Sequence, residues 1–150
     1  MLGTLSEQQI EGLLKKQVTG RLGCSVDGIT YIVPINYVYR DNTIFGHSAE
    51  GKKIEMMRKN PNVCFQVDHI QTVFKWQSVV AWGRFEEITD LDEKQQAMQG
   101  LIHRIMPLIN SASGHPSHGI TGKESDIGTT IELIVYKIVL SKITGRFETD

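Results

Sequence analysis

The chain has 150 residues, of which 40% are hydrophobic and 22% charged, with a formal net charge of -1. That length suits one domain, residues 1–150, with a core large enough to need no disulfide or metal staple. The near-neutral charge gives no electrostatic footprint for nucleic acid. No apolar run is long enough to cross a bilayer, and no charged-then-apolar start marks a signal peptide. The two cysteines, Cys24 and Cys64, fall in strand-like segments, read as buried thiols, and agree with a cytoplasmic location.

The first predicted element is a short helix. Ser6 and Gln9 form a capping-box pattern, Leu5 and Ile10 staple it, and Ile10, Leu13, Leu14 and Val18 recur at helical spacing up to Gly20, the expected stop. Arg21 to Val26 then reads as a strand, followed by the hairpin signal Asp27-Gly28. Thr30 to Arg40 reads as one long strand, with Pro34 arguing for a sheet edge or an interrupted ladder. Asp41-Asn42 is a second turn, and Thr43 to His47 a third strand.

Lys52 to Lys59 is predicted as a helix stopped by Asn60-Pro61. Val63 to Val67 and Gln77 to Ile88 are strands, the latter with a bulge expected at Gly83. A further helix starts at Thr89 or Asp90. It carries a stripe of Leu91, Met98, Leu101, Ile102 and Ile105 and stops at Pro107. Ile109 to Gly128, rich in Gly, Ser and His, is the one long loop, and Thr130 to Phe147 forms one or two closing strands. About six strands joined by tight turns must run antiparallel. Mainly β, a closed or partly closed barrel with three flanking helices is the simplest architecture.

The segment richest in chemistry is Gly46-His47-Ser48-Ala49-Glu50-Gly51-Lys52-Lys53, between a strand and a helix. It nearly matches a phosphate-binding loop, in which free N–H groups at a helix start and a lysine meet an anion. Lys53 stands where a magnesium-binding hydroxyl belongs, which points to a phosphate gripped intact rather than hydrolysed. Two cations at a helix N-terminus oppose its dipole and so ask for an anion.

The ordered set Gly20-Arg21-Leu22-Gly23, Val33-Pro34-Ile35-Asn36, His47-Ser48-Ala49 with Gly51-Lys52-Lys53, Asn60-Pro61-Asn62-Val63 and Ser78-Val79-Val80-Ala81-Trp82-Gly83 resembles the pyridoxamine 5'-phosphate oxidase-related flavoproteins, most closely their nitroimidazole-resistance branch. The resemblance implies a six-stranded antiparallel split barrel that forms a homodimer, with FMN at the interface. It implies Lys52 and Lys53 on the phosphate, His47 and Ser48 along the ribityl–phosphate path, and Val33, Pro34, Ile35 and Asn36 beside the flavin ring. Ser78 would be a polar cofactor contact, Trp76 a ring neighbour from either chain, and His47 the candidate catalytic proton donor. Only Arg146 could supply the extra basic residue that pyridoxamine phosphate oxidation uses, so the small-molecule substrate stays open.

His115 and His118, with His103 and His47 elsewhere, do not make a metal-ligand pattern; a polar loop, or a lid over the flavin, is the simpler reading. Two alternatives to a flavin-dependent oxidoreductase stand: a flavin-nucleotide-binding or storage protein without turnover, and haem binding on the same barrel through His47, His115 or His118.

Overall fold

The computed structural model describes residues 1–108 and 133–150. In chain order the elements are β1 (Leu2–Thr4), α1 (Glu7–Lys16), β2 (Thr19–Val26), β3 (Ile29–Asn36), β4 (Val38–Arg40), β5 (Thr43–Ser48), α2 (Lys52–Lys59), β6 (Asn62–Thr72), β7 (Lys75–Glu87), α3 (Leu91–Ile105) and β8 (Ile134–Glu148). Every strand pairing is antiparallel, in the order β3-β2-β6-β7-β8-β5-β4, with β1 added beside β8. The fold is the mainly β, split-barrel class that the sequence implies.

Among the described residues the strands number eight rather than about six. β1 carries no strand signature in the sequence. The long strand expected over Thr30 to Arg40 breaks at Tyr37, whose N–H bonds Val18 O at 2.9 Å, one step past the Thr19–Asn36 pair that ends the β2–β3 ladder, while the residues after it pair with β5. That break defines the architecture. β3 and β4 are separated in sequence by Tyr37 alone, yet they are the two ends of the strand order. The sheet must therefore curl until its edges meet at Tyr37, and the edges do not pair with each other. The barrel is open along that seam, and Pro34 sits on edge strand β3, where a missing N–H costs least.

Local signals set most boundaries. Ser6 and Gln9 complete the capping box, Gln9 N to Ser6 Oγ at 3.2 Å and Ser6 N to Gln9 Oε1 at 2.8 Å. Asp27 and Gly28 (φ 53° and 79°) and Asp41 and Asn42 (φ 51° and 58°) take the paired positive φ that two-residue hairpins require. Asp90 caps α3 by accepting from Glu93 N at 3.0 Å. The helix stripe is shifted from expectation: Leu91 is exposed and Ala97 is buried with Met98, Leu101, Ile102 and Ile105.

Gly20 does not end α1, whose C-cap is Gln17. It lies in β2, where an added Cβ would come within 2.3 Å of the Phe65 ring. The irregularity expected at Gly83 is present as a register shift between Trp82 and Gly83, but the extra residue is Ser141 of β8. The loop containing His115 and His118, and the start of the predicted closing strand, lie outside the described residues.

Alternation along the strands sends Leu22, Phe65, Val67, Val79, Ala81, Tyr136 and Ile138 inward, where α1 and α2 cover the barrel with Leu14, Ile54 and Met57. A second cluster joins α3 to Phe45, Leu133 and Val135 on the opposite face of β5 and β8. Arg104 of α3 donates through Nη2 to Lys15 O at 3.2 Å and Lys16 O at 2.5 Å, placing a guanidinium on the last carbonyls of α1, as the helix dipole favours.

Candidate functional site

The seam between β3 and β5 opens a polar pocket of about 260 Å3, lined by Thr19, Pro34, Ile35, Asn36, His47 and Lys53. Each lining residue has a structural reason to be there. Pro34, Ile35 and Asn36 end edge strand β3, and Thr19 is the cross-strand partner of Asn36, donating Oγ1 to its Oδ1 at 2.9 Å. His47 follows Gly46, the cross-strand partner of Tyr136. A Cβ on Gly46 would lie 2.6 Å from the tyrosine ring, so glycine lets that ring lie flat under β5 just before the histidine. Lys53 comes from the first turn of α2.

That first turn is open. Gly51 is the N-cap and supplies no side-chain cap; the earliest intrahelical bond is Glu55 N to Gly51 O at 3.1 Å. The N–H groups that precede it are the orphan donors of a helix start. Burial pushes the Lys53 amine below the ordinary lysine range, and the neighbouring Cys24 thiol partly opposes this. An anion in the pocket would oppose that shift by favouring the charged amine. Uncapped N–H groups, a half-buried lysine, an imidazole and an amide are the donor set for a phosphate ester, so these residues fit the phosphate end of a nucleotide cofactor.

The polar pocket adjoins an apolar groove. Pro34 is the Cα partner of Arg21, and Arg21 lines a larger cavity of about 480 Å3 on the outer face of β3, β2, β6 and β7, with Ile32, Cys64, Gln66 and Trp82. Ile32 is 67% exposed and Trp82 39% exposed, so the described residues leave this sheet face open. A polar chain crosses it: Arg21 lies 3.6 Å from Asp68, and Gln66 Nε2 donates to Asp68 Oδ2 at 2.9 Å and to Ser78 Oγ at 3.1 Å.

The family model for pyridoxamine 5'-phosphate oxidase matches residues 6–147. The chain belongs to this family. Among solved structures it is similar to an FAD-binding protein from Mesorhizobium loti, at 31% identity, 99% coverage of both chains and a TM-score of 0.79. It shares its fold with a candidate 5-nitroimidazole antibiotic resistance protein from Bacteroides thetaiotaomicron, at 22% identity, with 98% of this chain and 89% of that chain covered and a TM-score of 0.72. An uncharacterized protein from Rhizobium meliloti is 29% identical over 142 residues, which span 95% of this chain and 92% of that protein.

For this member of the pyridoxamine 5'-phosphate oxidase family, Pro34, Ile35, Asn36, His47 and Lys53 converge on one pocket. Lys52 does not line it, and its Nζ lies 4.8 Å over the Tyr31 ring. Ser48 donates to Ala49 O at 2.7 Å, and Val33 packs against the core. Ser78 stands on the outer sheet face beside Gln66. Trp76 lines a separate hollow with His69, Lys75 and Phe147, and its Nε1 donates to Glu148 Oε2 at 2.9 Å. Thr19 and Arg21 were not among the expected site residues. Arg21 stood inside the quoted Gly-Arg-Leu-Gly stretch, but its position beside Pro34 depends on the β2–β3 register. Among the described residues no cluster of three or more His, Cys, Asp or Glu could hold a metal, and no helix is long and apolar enough to cross a membrane.

Proposed function

We propose that this chain is a flavoprotein that holds FMN with its phosphate in the pocket of Lys53, His47 and Asn36 and its ring system toward the outer face of the sheet. The observation that carries this reading is the adjacency of the two cavities: Pro34 lines the anion-accepting pocket at the barrel seam, and its cross-strand partner Arg21 lines the apolar groove. Membership of the pyridoxamine 5'-phosphate oxidase family supports it. The FAD-binding relative supports a flavin nucleotide in general, and FAD would present a phosphate to the same donors.

The open face around Ile32 and Trp82 supports a homodimer, because an apolar sheet surface of this kind favours a protein partner over water. A second copy would also close the groove over the flavin and bring in residues, Trp76 included, that stand away from the pocket in one chain. The free thiols Cys24 and Cys64 suit a reducing, cytoplasmic compartment.

Bound FMN supplies the redox centre. The protein's part is to bind the phosphate, exclude water from the groove and place the His47 imidazole where it can pass a proton to a small electrophilic substrate. Electrons would come from a nicotinamide or another donor, and a nitroaromatic such as a nitroimidazole is the substrate class proposed.

The test is a visible spectrum of the purified protein with the released cofactor identified by mass, followed by donor oxidation with and without a nitroimidazole. Bound FMN and nitroimidazole-dependent turnover are expected. Released FAD would move the cofactor assignment, tight FMN without turnover would make the chain a carrier, and a haem-type band would replace the flavin reading.

A further inference from the structure

The uncapped start of α2 has a carboxylate close at hand. Glu50 immediately precedes the N-cap Gly51, and a negative side chain there is drawn to the free N–H groups and positive dipole end of the helix. Left to itself, Glu50 would compete with any incoming anion. In the structure it is tied elsewhere. Arg58, on the last turn of α2, holds both Glu50 carboxylate oxygens, Nη1 to Oε2 at 2.9 Å and Nη2 to Oε1 at 2.9 Å, while its Nε donates to Glu87 Oε1 at 2.7 Å.

The geometry fixes the direction of the pull. Arg58 lies six residues beyond Lys52, about 9 Å along the helix axis, so the Glu50 carboxylate is drawn along the helix flank. Glu87, the last residue of β7, anchors the guanidinium to the sheet. All three side chains are partly exposed, at 41% for Arg58, 53% for Glu50 and 34% for Glu87. Ion pairs at such exposure add little to global stability. A bidentate arginine fork does impose orientation, and that is the use this arrangement makes of it.

We propose that Arg58 is a positioning residue for the cofactor phosphate: by holding Glu50 back along α2, it keeps an internal carboxylate off the helix N-terminus and sets the loop from Ser48 to Gly51 in its binding conformation. The inference rests on the phosphate assignment made above. It predicts that Arg58→Ala weakens FMN binding about tenfold and leaves riboflavin, which lacks the phosphate, unchanged. Adding Glu50→Gln to that variant should return most of the FMN affinity. Arg58→Lys, which keeps the charge and loses the fork, should fall between.

Flavin-fluorescence titration of wild type, the single variants and the double variant with both ligands decides the matter. Unchanged FMN affinity in Arg58→Ala, an equal loss of FMN and riboflavin, or no recovery in the double variant each overturns the proposal while leaving the phosphate assignment in place, provided wild type prefers FMN to riboflavin. A wild type that does not distinguish the two ligands overturns the phosphate assignment and the role of Arg58 with it.

Discussion

Lys52 and Lys53 are neighbours in the chain and serve different surroundings: Lys52 Nζ lies 4.8 Å over the Tyr31 ring, and Lys53 lines the seam pocket with His47 and Asn36. A helix turns about 100° per residue, so adjacent residues cannot share a face. α2 packs its Ile54 and Met57 into the barrel, which leaves Lys53 half-buried at the seam and Lys52 exposed on the β3 side.

The first prediction follows from that divergence. Lys53→Met should weaken FMN binding by roughly ten- to a hundredfold, the size of a lost charge-assisted hydrogen bond of about 1.5–3 kcal/mol. Lys52→Met should change it by less than about threefold, in keeping with a screened surface charge. Flavin titration at fixed ionic strength measures both. Equal losses from the two substitutions would show that both ammonium groups reach the phosphate.

What the sequence made legible was whatever a few adjacent residues decide. The Ser6–Gln9 box, the Asp27-Gly28 and Asp41-Asn42 turns and the bounds of α2 each depend on side chains within about four positions of one another. What stayed hidden depends on distant partners. Gly20 looked like a helix stop because nothing nearby reveals the Phe65 ring that needs its missing Cβ. Tyr37 looked like the middle of a strand because the change of partner around it, from β2 before to β5 after, depends on residues that are not its sequence neighbours. β6 and β7 extend to Thr72 and Lys75 around Val73-Phe74, a turn with none of the usual Gly, Asn or Asp to announce it. The candidate site divides in the same way: the loop from Gly46 to Lys53 was recognisable from its order of residue types, whereas Thr19 and Arg21 join it only through the pairing of β2 with β3.

The second prediction concerns the outer face. If the surface around Ile32 and Trp82 joins two copies, a charge placed there meets an uncompensated desolvation cost in the dimer and water in the monomer. Ile32→Arg and Trp82→Arg should each shift the protein from dimer to monomer in sedimentation velocity, with far-UV circular dichroism unchanged, and should lower FMN affinity as the groove loses its cover. A wild type that sediments as a monomer with flavin bound would remove the dimer from the proposal.

The third prediction is the alkaline limit of the fold. Tyr39 Oη donates to Glu11 Oε1 at 2.5 Å, joining β4 to α1. Burial first, then the hydrogen bond and negative charge of Glu11, push the Tyr39 hydroxyl from 10.0 up to about 12. Between those two values the unfolded chain has released the proton that the folded chain keeps, so stability falls as pH rises through this window and is fully present below it. Buried Tyr37 and Tyr136 are raised in the same sense and extend the loss to higher pH. Lys53, lowered by burial, acts oppositely: its contribution makes stability rise with pH as the folded chain sheds its proton first, up to the ordinary lysine range. Tyr39→Phe should cost about 1 kcal/mol at neutral pH, the worth of one hydrogen bond. It should then lose about 1–2 kcal/mol less than wild type between pH 10 and pH 12. Urea denaturation at pH 7, 10 and 12 checks this. Converging stability curves for wild type and Tyr39→Phe are expected, and parallel curves would place the alkaline loss on the other tyrosines.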